Sequence, residues 1–191
     1  MSAALNYTNL VVLWAVFFSL IYLPLRYLTL KKDTTLPHEV GLWLFWISVV
    51  AVLSQTLTED GTVTGIGFTF AHIRDSFYYN FRPFRIFERI ADKPAAERFS
   101  YALVNVPGNI LIFAPVGFCA RWAFRWGIGK ATLCGCLLSV FVEIGQIFLP
   151  RTTDIDDIWM NTLGAFLGAV VWTVFYKINE KIPEVEQDGS V

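Results

Sequence analysis

The chain has 191 residues, of which 55% are hydrophobic and 16% are charged, whereas about 25% of the residues of a soluble domain are charged. Aromatic residues make up 16%, and a soluble domain of this length has too little interior to hide so much apolar surface. The composition therefore excludes a disordered chain, a nucleic-acid-binding protein and an ordinary soluble enzyme. With 15 basic and 16 acidic residues, the net charge predicts no polyanionic partner.

Five apolar segments follow one another along the chain. They cover residues 7–30, 40–57, 102–120, 131–149 and 158–176. Each has about 18–24 residues, which is enough to cross a hydrocarbon core about 30 Å thick at 1.5 Å per residue. The sequence therefore predicts an all-α polytopic membrane bundle of about five transmembrane helices. We expect a single membrane domain over residues 1–179 and a polar cytoplasmic tail over residues 180–191.

Eight of the 15 basic residues lie near span ends on one side of this arrangement, whereas six others lie in the long segment 58–100 together with six acidic residues. The eight follow the first span, fill the link between the third and fourth spans, and follow the fifth span: Arg26, Lys31, Lys32, Arg121, Arg125, Lys130, Lys177 and Lys181. The positive-inside rule places these regions in the cytoplasm. We therefore expect a multi-pass protein of the cell membrane with its N-terminus outside and its C-terminus inside. The segment 58–100 and the link 150–157 would then face outside.

The third apolar segment contains residues that disturb a helix. Pro107 and Pro115 lack a backbone N–H, so we expect a broken span here. In a membrane such breaks occur where protein or a wet cavity covers them. Asn105 and Asn109 are four positions apart and share one helix face, which suits either hydrogen bonding between packed spans or a polar site.

Acidic and amide side chains surround the junction of the fourth and fifth segments. Glu143 and Gln146 share a helix face, and a carboxylate at membrane depth indicates a site unless it is protonated or paired with a structural arginine. The link and the fifth segment add an arginine, three carboxylates and an amide: Arg151, Asp154, Asp156, Asp157 and Asn161. Capping of a helix N-terminus accounts for one such carboxylate but not for all three.

Aromatic and basic side chains alternate over residues 80–87. Two interpretations remain open for this stretch. It is either an interfacial segment with arginines at lipid phosphates and phenylalanines in the acyl boundary, or a re-entrant flap whose Arg82 or Arg85 binds a phosphate over the site.

In chain order, these residues resemble the VanZ-like family of membrane proteins. The matching pattern is Asn80-x-x-Pro83-Phe84, Asn105-x-x-Gly108-Asn109, Glu143-x-x-Gln146 and Arg151-x-x-Asp154-x-Asp156-Asp157-x-x-x-Asn161. The similarity covers residues 79–176. It implies a compact helical bundle, a link to resistance against the glycopeptide teicoplanin, and a relation to enzymes that exchange head groups on phospholipids or polyprenol-phosphate carriers.

The residue types suit chemistry at a lipid phosphodiester. Such a reaction requires a cation that neutralises the phosphate charge, and an acid and a base for the leaving and incoming hydroxyl groups. The expected catalytic residues are Glu143, Asp156, Asp157 and Arg151. The expected substrate-binding residues are Asn80, Arg82, Asn105, Asn109, Gln146, Asp154 and Asn161. Asp154, Asp156 and Asp157 are also candidate oxygen ligands for Mg²⁺ or Ca²⁺.

Three functions remain open at this point. The first is a lipid head-group transferase or phosphodiester hydrolase that acts on a membrane lipid or a lipid-linked envelope precursor at the outer face. The second is a non-catalytic protein that binds or shields an envelope lipid or an antibiotic target. The third, a small-solute transporter, is less favoured because five spans without an internal repeat are few for an independent carrier.

Overall fold

Helices make up most of the chain in the computed structural model, which describes residues 2–30, 34–57, 79–147 and 153–181. Six helices lie within these ranges: α1 (Ser2–Leu28), α2 (Leu36–Thr56), α3 (Arg85–Asp92), α4 (Ala95–Phe124), α5 (Ile128–Gln146) and α6 (Ile155–Lys181). Two strands of two residues each, β1 (Tyr79–Asn80) and β2 (Thr153–Asp154), complete the described elements. The tail predicted from residue 180 lies outside the described residues beyond 181.

The five long helices, α1, α2, α4, α5 and α6, are each long and apolar enough to cross a membrane. Their outer faces carry large apolar side chains such as Leu20, Val104 and Leu137, which are well exposed. A soluble protein rarely leaves so much apolar surface uncovered, whereas lipid covers it in a membrane. The predicted all-α polytopic bundle with about five spans is confirmed.

Helices α4 and α6 form the tightly packed centre of the bundle. A Cβ atom on Gly164 would lie 2.1 Å from the carbonyl oxygen of Ile110, and one on Gly168 would lie 1.9 Å from that of Ala114. The two backbones approach this closely because neither glycine has a side chain. Around this pair, α2 and α5 contribute buried apolar side chains, including Phe45 and Val142.

The predicted break in the third span is wrong, because α4 runs as one helix through Pro107 and Pro115. A proline inside a helix removes one backbone hydrogen bond and costs on the order of 3 kcal/mol. Packing against α6 on both sides of Pro115, at Ile110 and Ala114 and at Gly117, holds the helix together in spite of this cost.

A short parallel strand pair closes one end of the bundle. Tyr79 lies opposite Thr153, and Asn80 lies opposite Asp154. The pairing brings the segment before α3 against the beginning of α6. Helix α3 therefore lies beside this end, in the segment for which the sequence left an interfacial stretch and a re-entrant flap open.

Candidate functional site

A polar cavity of about 220 Å³ lies between α2, α4, α5 and α6, at the end that the strand pair closes. Its polar lining consists of Gln55, Thr56, Asn109, Glu143, Gln146, Asp157 and Asn161. Phe113 and Val142, both fully buried, form part of its apolar wall. Seven polar side chains from four helices thus line one cavity.

Glu143 supplies one of the two carboxylates of the cavity and is only 3% exposed. Its Oε2 atom accepts a hydrogen bond of 2.8 Å from the backbone N–H of Asp154. The Thr153 hydroxyl also donates to the backbone carbonyl of Glu143, at 3.4 Å. These two contacts hold the end of α5 against β2 and fix the position of the carboxylate in the cavity.

Asp157 supplies the second carboxylate. The side-chain amide of Asn109 donates a hydrogen bond of 2.7 Å to Asp157 Oδ1, so the pair joins α4 to α6 across the cavity. Asn109 reaches this position because α4 continues as a regular helix past Pro107.

Two amide oxygens at the cavity have no protein partner in the part of the chain that the structure describes. Gln146 donates through Nε2 to the carbonyl of Thr56 at 3.1 Å, and Asn161 donates through Nδ2 to the Ser139 hydroxyl at 2.9 Å. Gln146 Oε1 and Asn161 Oδ1 are left without a donor. A buried acceptor without a donor costs about 1–3 kcal/mol, so both oxygens favour a bound molecule that donates hydrogen bonds.

Asp154 lies behind the cavity, where several donors meet its carboxylate. Asn80 Nδ2 and the backbone N–H of Asp156 donate to Oδ1 at 2.7 and 3.0 Å, and the Arg89 guanidinium pairs with Oδ2. Burial lowers the pKa of Arg89, but the hydrogen bond and the charge of Asp154 outweigh this effect and raise the pKa above its usual value. Arg89 thus neutralises Asp154.

Asp156 is fully buried, and both of its oxygens accept hydrogen bonds. The backbone N–H groups of Phe84 and Ile86 donate to it at 2.5 and 2.7 Å, and the Trp159 indole N–H donates at 3.0 Å. Phe84 has a φ of 65°, which few residues other than glycine adopt. The Asp156 carboxylate therefore anchors the beginning of α3 to α6.

The model of the VanZ/LLP1 family matches residues 10–176. The chain belongs to the VanZ/LLP1 family. A search of curated proteins and a search of solved structures each found no match. The matched range contains all the polar residues of the cavity, so they form part of the VanZ/LLP1 domain of this chain.

In this VanZ/LLP1 chain the three link aspartates do not converge on a common point. Asp154 is paired with Arg89, Asp156 is occupied by three N–H donors, and Asp157 faces Asn109. Among the described residues, no three His, Cys, Asp or Glu side chains form a group that could hold a metal ion. This placement does not fit the Mg²⁺ or Ca²⁺ site that the sequence suggested for these three residues.

Besides Asp154 and Asp156, four more of the residues predicted for the site lie away from the cavity or outside the described residues. Asn105 donates to the carbonyl of Tyr101 in its own helix at 2.7 Å. Arg82 is exposed and pairs with Glu88 at 3.0 Å. Asn80 reaches the cavity indirectly, through Asp154. Arg151 lies outside the described residues.

The structure also adds residues that the sequence analysis did not select. Gln55 and Thr56 line the cavity from the last turn of α2. In the sequence they resemble the polar residues that usually follow a membrane span, so they were not selected. Arg89 follows the buried Ile86 by three positions. The two residues therefore share a face of α3, but the sequence alone does not show which face of α3 is buried.

Proposed function

We propose that this VanZ/LLP1 protein transfers or hydrolyses the head group of a phospholipid or a polyprenol-phosphate-linked envelope precursor at the outer face of the membrane. The observation that carries the proposal is the buried cavity with two carboxylates, Glu143 and Asp157, at the end of the spans. Enzymes retain ionisable groups at membrane depth where they perform chemistry, since such groups are otherwise costly.

The reaction requires a base and an acid. The base, a carboxylate, takes the proton from the incoming hydroxyl group while the oxygen of that group forms a bond to phosphorus. The bond between phosphorus and the leaving oxygen breaks, and the acid, a protonated carboxyl group, gives its proton to that oxygen. Glu143 is the candidate base, and the backbone N–H of Asp154 holds its Oε2 atom at the cavity. Asp157, held by Asn109, is the candidate acid.

The head group and its phosphate require different partners. Gln146 Oε1 and Asn161 Oδ1 can accept hydrogen bonds from hydroxyl or ammonium groups of a head group. The phosphate requires a cation, and Arg89 is already paired with Asp154. Arg151 remains our first candidate for this role on sequence grounds, and Arg82, which precedes α3, is the second.

Conversion of labelled lipids in nanodiscs tests the proposal. Labelled phospholipids and polyprenol-linked sugars are incubated with the purified full-length protein, with and without Mg²⁺ or Ca²⁺. We expect head-group release or exchange that Glu143→Gln lowers about a hundredfold or more. Glu97→Gln makes the same chemical change on an exposed residue of the first turn of α4 and should leave the rate unchanged. No conversion of any lipid would overturn the proposal.

A non-catalytic binder is the second candidate, favoured by the two acceptors that lack donors. Such a protein would shield an envelope lipid or an antibiotic target without converting it. Teicoplanin susceptibility of cells that carry each variant separates the two functions, because a binder keeps its phenotype in Glu143→Gln and an enzyme loses it. Equal susceptibility of cells with and without the wild-type chain would contradict a role in resistance.

The outer location rests on the predicted orientation, with the N-terminus outside and the C-terminus in the cytoplasm. We propose this orientation for the cell membrane. In intact cells a protease added from outside should remove an N-terminal tag and leave a C-terminal tag. The reverse result would place the polar cavity at the cytoplasmic face.

A further inference from the structure

A second cavity, of about 480 Å³, lies at the opposite end of the bundle from the polar cavity. The beginning of α2 and the ends of α4 and α6 line it, through Thr35, Pro37, His38, Arg121, Trp122, Arg125, Trp172 and Tyr176. A neighbouring cavity of about 400 Å³ shares Thr35, His38 and Arg125 with it. None of the described residues that line the two cavities is acidic, so two guanidinium groups dominate their charge.

Contacts from the protein fix the position of one of these guanidinium groups. Arg121 donates through Nε to the Thr173 hydroxyl at 2.5 Å and through a terminal nitrogen to the carbonyl of Trp126. Neither partner carries a charge, so the positive charge of Arg121 is not neutralised by these contacts. Glu39, on the first turn of α2, is paired with Arg26 at 2.6 Å instead.

Arg125 lies at the end of α4 with a φ of 52°, a conformation that costs an ordinary side chain free energy. Its side chain is exposed, and no described acidic side chain forms an ion pair with it. A glycine or asparagine would form this helix end more easily, so helix termination does not account for the arginine.

An apolar groove approaches this basic cavity along the lipid-facing surface of α4 and α6. It has a volume of about 510 Å³ and is lined by Ile110, Leu111, Ala114, Pro115, Phe118, Cys119, Leu167, Gly168 and Val171. Residues 110–119 extend it over about 13 Å at 1.5 Å per residue.

Aromatic contacts connect the groove to the cavity. The ring of Phe118, in the groove, lies 5.1 Å from that of Trp172, in the cavity, and Trp172 stacks on Trp122 at 5.0 Å. The apolar groove thus leads to two amphipathic indole rings and then to two arginines. A phospholipid has the same order of chemistry, from its acyl chain to its phosphate, and tryptophans favour the interface between the hydrocarbon and the head groups.

We propose that this end of the chain binds one phospholipid with an anionic head group. Its phosphate oxygens accept hydrogen bonds from Arg121 and Arg125, and one acyl chain lies in the groove between α4 and α6. Arginine suits this role because its planar donors match phosphate oxygens in pairs. In the predicted orientation the lipid belongs to the cytoplasmic leaflet, where anionic lipids are common. This site is independent of the polar cavity and of the reaction proposed there.

Native mass spectrometry of the purified full-length protein tests the head-group contact. We expect the protein to retain phosphatidylglycerol under conditions in which it loses phosphatidylcholine. Arg125→Asn should weaken phosphatidylglycerol binding about tenfold, which corresponds to one charge-assisted contact, and asparagine tolerates the left-handed backbone, so the helix end is kept. Lys177→Gln, which removes a positive charge at the same end but outside the cavity lining, should have little effect. Equal losses in both variants would overturn the site.

A second comparison distinguishes a lipid from free phosphate. Ala114→Phe fills the groove, whereas Leu137→Phe adds a ring to the exposed face of α5. The lipid proposal predicts weaker phosphatidylglycerol binding in Ala114→Phe only, and no displacement by inorganic phosphate. Displacement by inorganic phosphate together with an unaffected Ala114→Phe variant would show a site for free phosphate and contradict the proposal. Equal retention of phosphatidylcholine and phosphatidylglycerol would contradict it as well.

Discussion

Glu143 accepts its hydrogen bond from the backbone N–H of Asp154, at 2.8 Å. The catalytic candidate on α5 is therefore positioned by the main chain of β2, and the side chain of Asp154 is left to pair with Arg89. Only proline at position 154 would remove this backbone donor, and it would also remove the carboxylate that pairs with Arg89. The contact is therefore best tested from the side of Glu143.

Glu143→Gln should keep most of the stability of the protein, because the amide oxygen of glutamine can still accept from Asp154. Glu143→Leu leaves that buried N–H without an acceptor and should lower the free energy of unfolding by about 1–3 kcal/mol more than Glu143→Gln does. Chemical unfolding in detergent measures the difference. Equal stability of the two variants would show that the bond contributes nothing.

An exchange of the two side chains tests the link between Asn109 and Asp157. Asn109→Asp should destabilise the protein, because it places two carboxylates within 2.7 Å of each other. The double variant Asn109→Asp with Asp157→Asn restores one donor and one acceptor and should recover most of the lost thermal stability. A double variant that is no more stable than the single one would contradict direct contact of the pair.

Asp156→Asn should release the segment around α3. Asparagine keeps one acceptor but places an N–H₂ group against one of the two backbone donors, so the bonds to Phe84 and Ile86 cannot both persist. We expect hydrogen exchange over residues 84–92 to accelerate by about tenfold or more, which corresponds to a loss of about 1.4 kcal/mol, while the spans remain protected. Asp92→Asn, at the exposed end of α3, is the control and should leave exchange unchanged.

Gly168→Ala should destabilise the α4–α6 pair strongly, since the new Cβ atom would lie 1.9 Å from the Ala114 carbonyl oxygen. Gly129→Ala is the matched control, because nothing lies within 4 Å of a Cβ atom there and alanine favours a helix by about 1 kcal/mol over glycine. Thermal unfolding in detergent should fall for the first variant and stay equal or rise for the second. An equal decrease of the unfolding temperature in both variants would contradict the close approach of the α4 and α6 backbones.

The sequence predicts the spans well because apolar composition is itself the signal for insertion. Their ends are less accurate. The third span was expected from residue 102, whereas α4 begins at Ala95, because its first two turns carry Glu97 and Arg98 and so do not resemble a span. The effect of Pro107 was also overestimated, since tertiary packing against α6 is invisible in a linear pattern.

The cavity could be anticipated in part. Asn109, Glu143, Gln146 and Asn161 stand out because a polar side chain in an apolar segment needs a reason. The role of Asp156 could not be anticipated, because its partners are backbone groups about 70 positions earlier in the chain. Nor could Arg89 be selected from among several arginines without knowing which one faces α6.

The pairing of Asn80 with Asp154 joins segments that are 74 positions apart. During synthesis, α4 and α5 therefore exist before β2 and α6 are available. Until α6 is made, Asn109 and Glu143 lack the partners that Asp157 and Asp154 later provide. The incomplete bundle therefore has unsatisfied polar groups within the membrane. Assembly of the polar end therefore cannot be completed before β2 and α6 have been made, and a chain that stops before α6 would keep these polar groups unpaired.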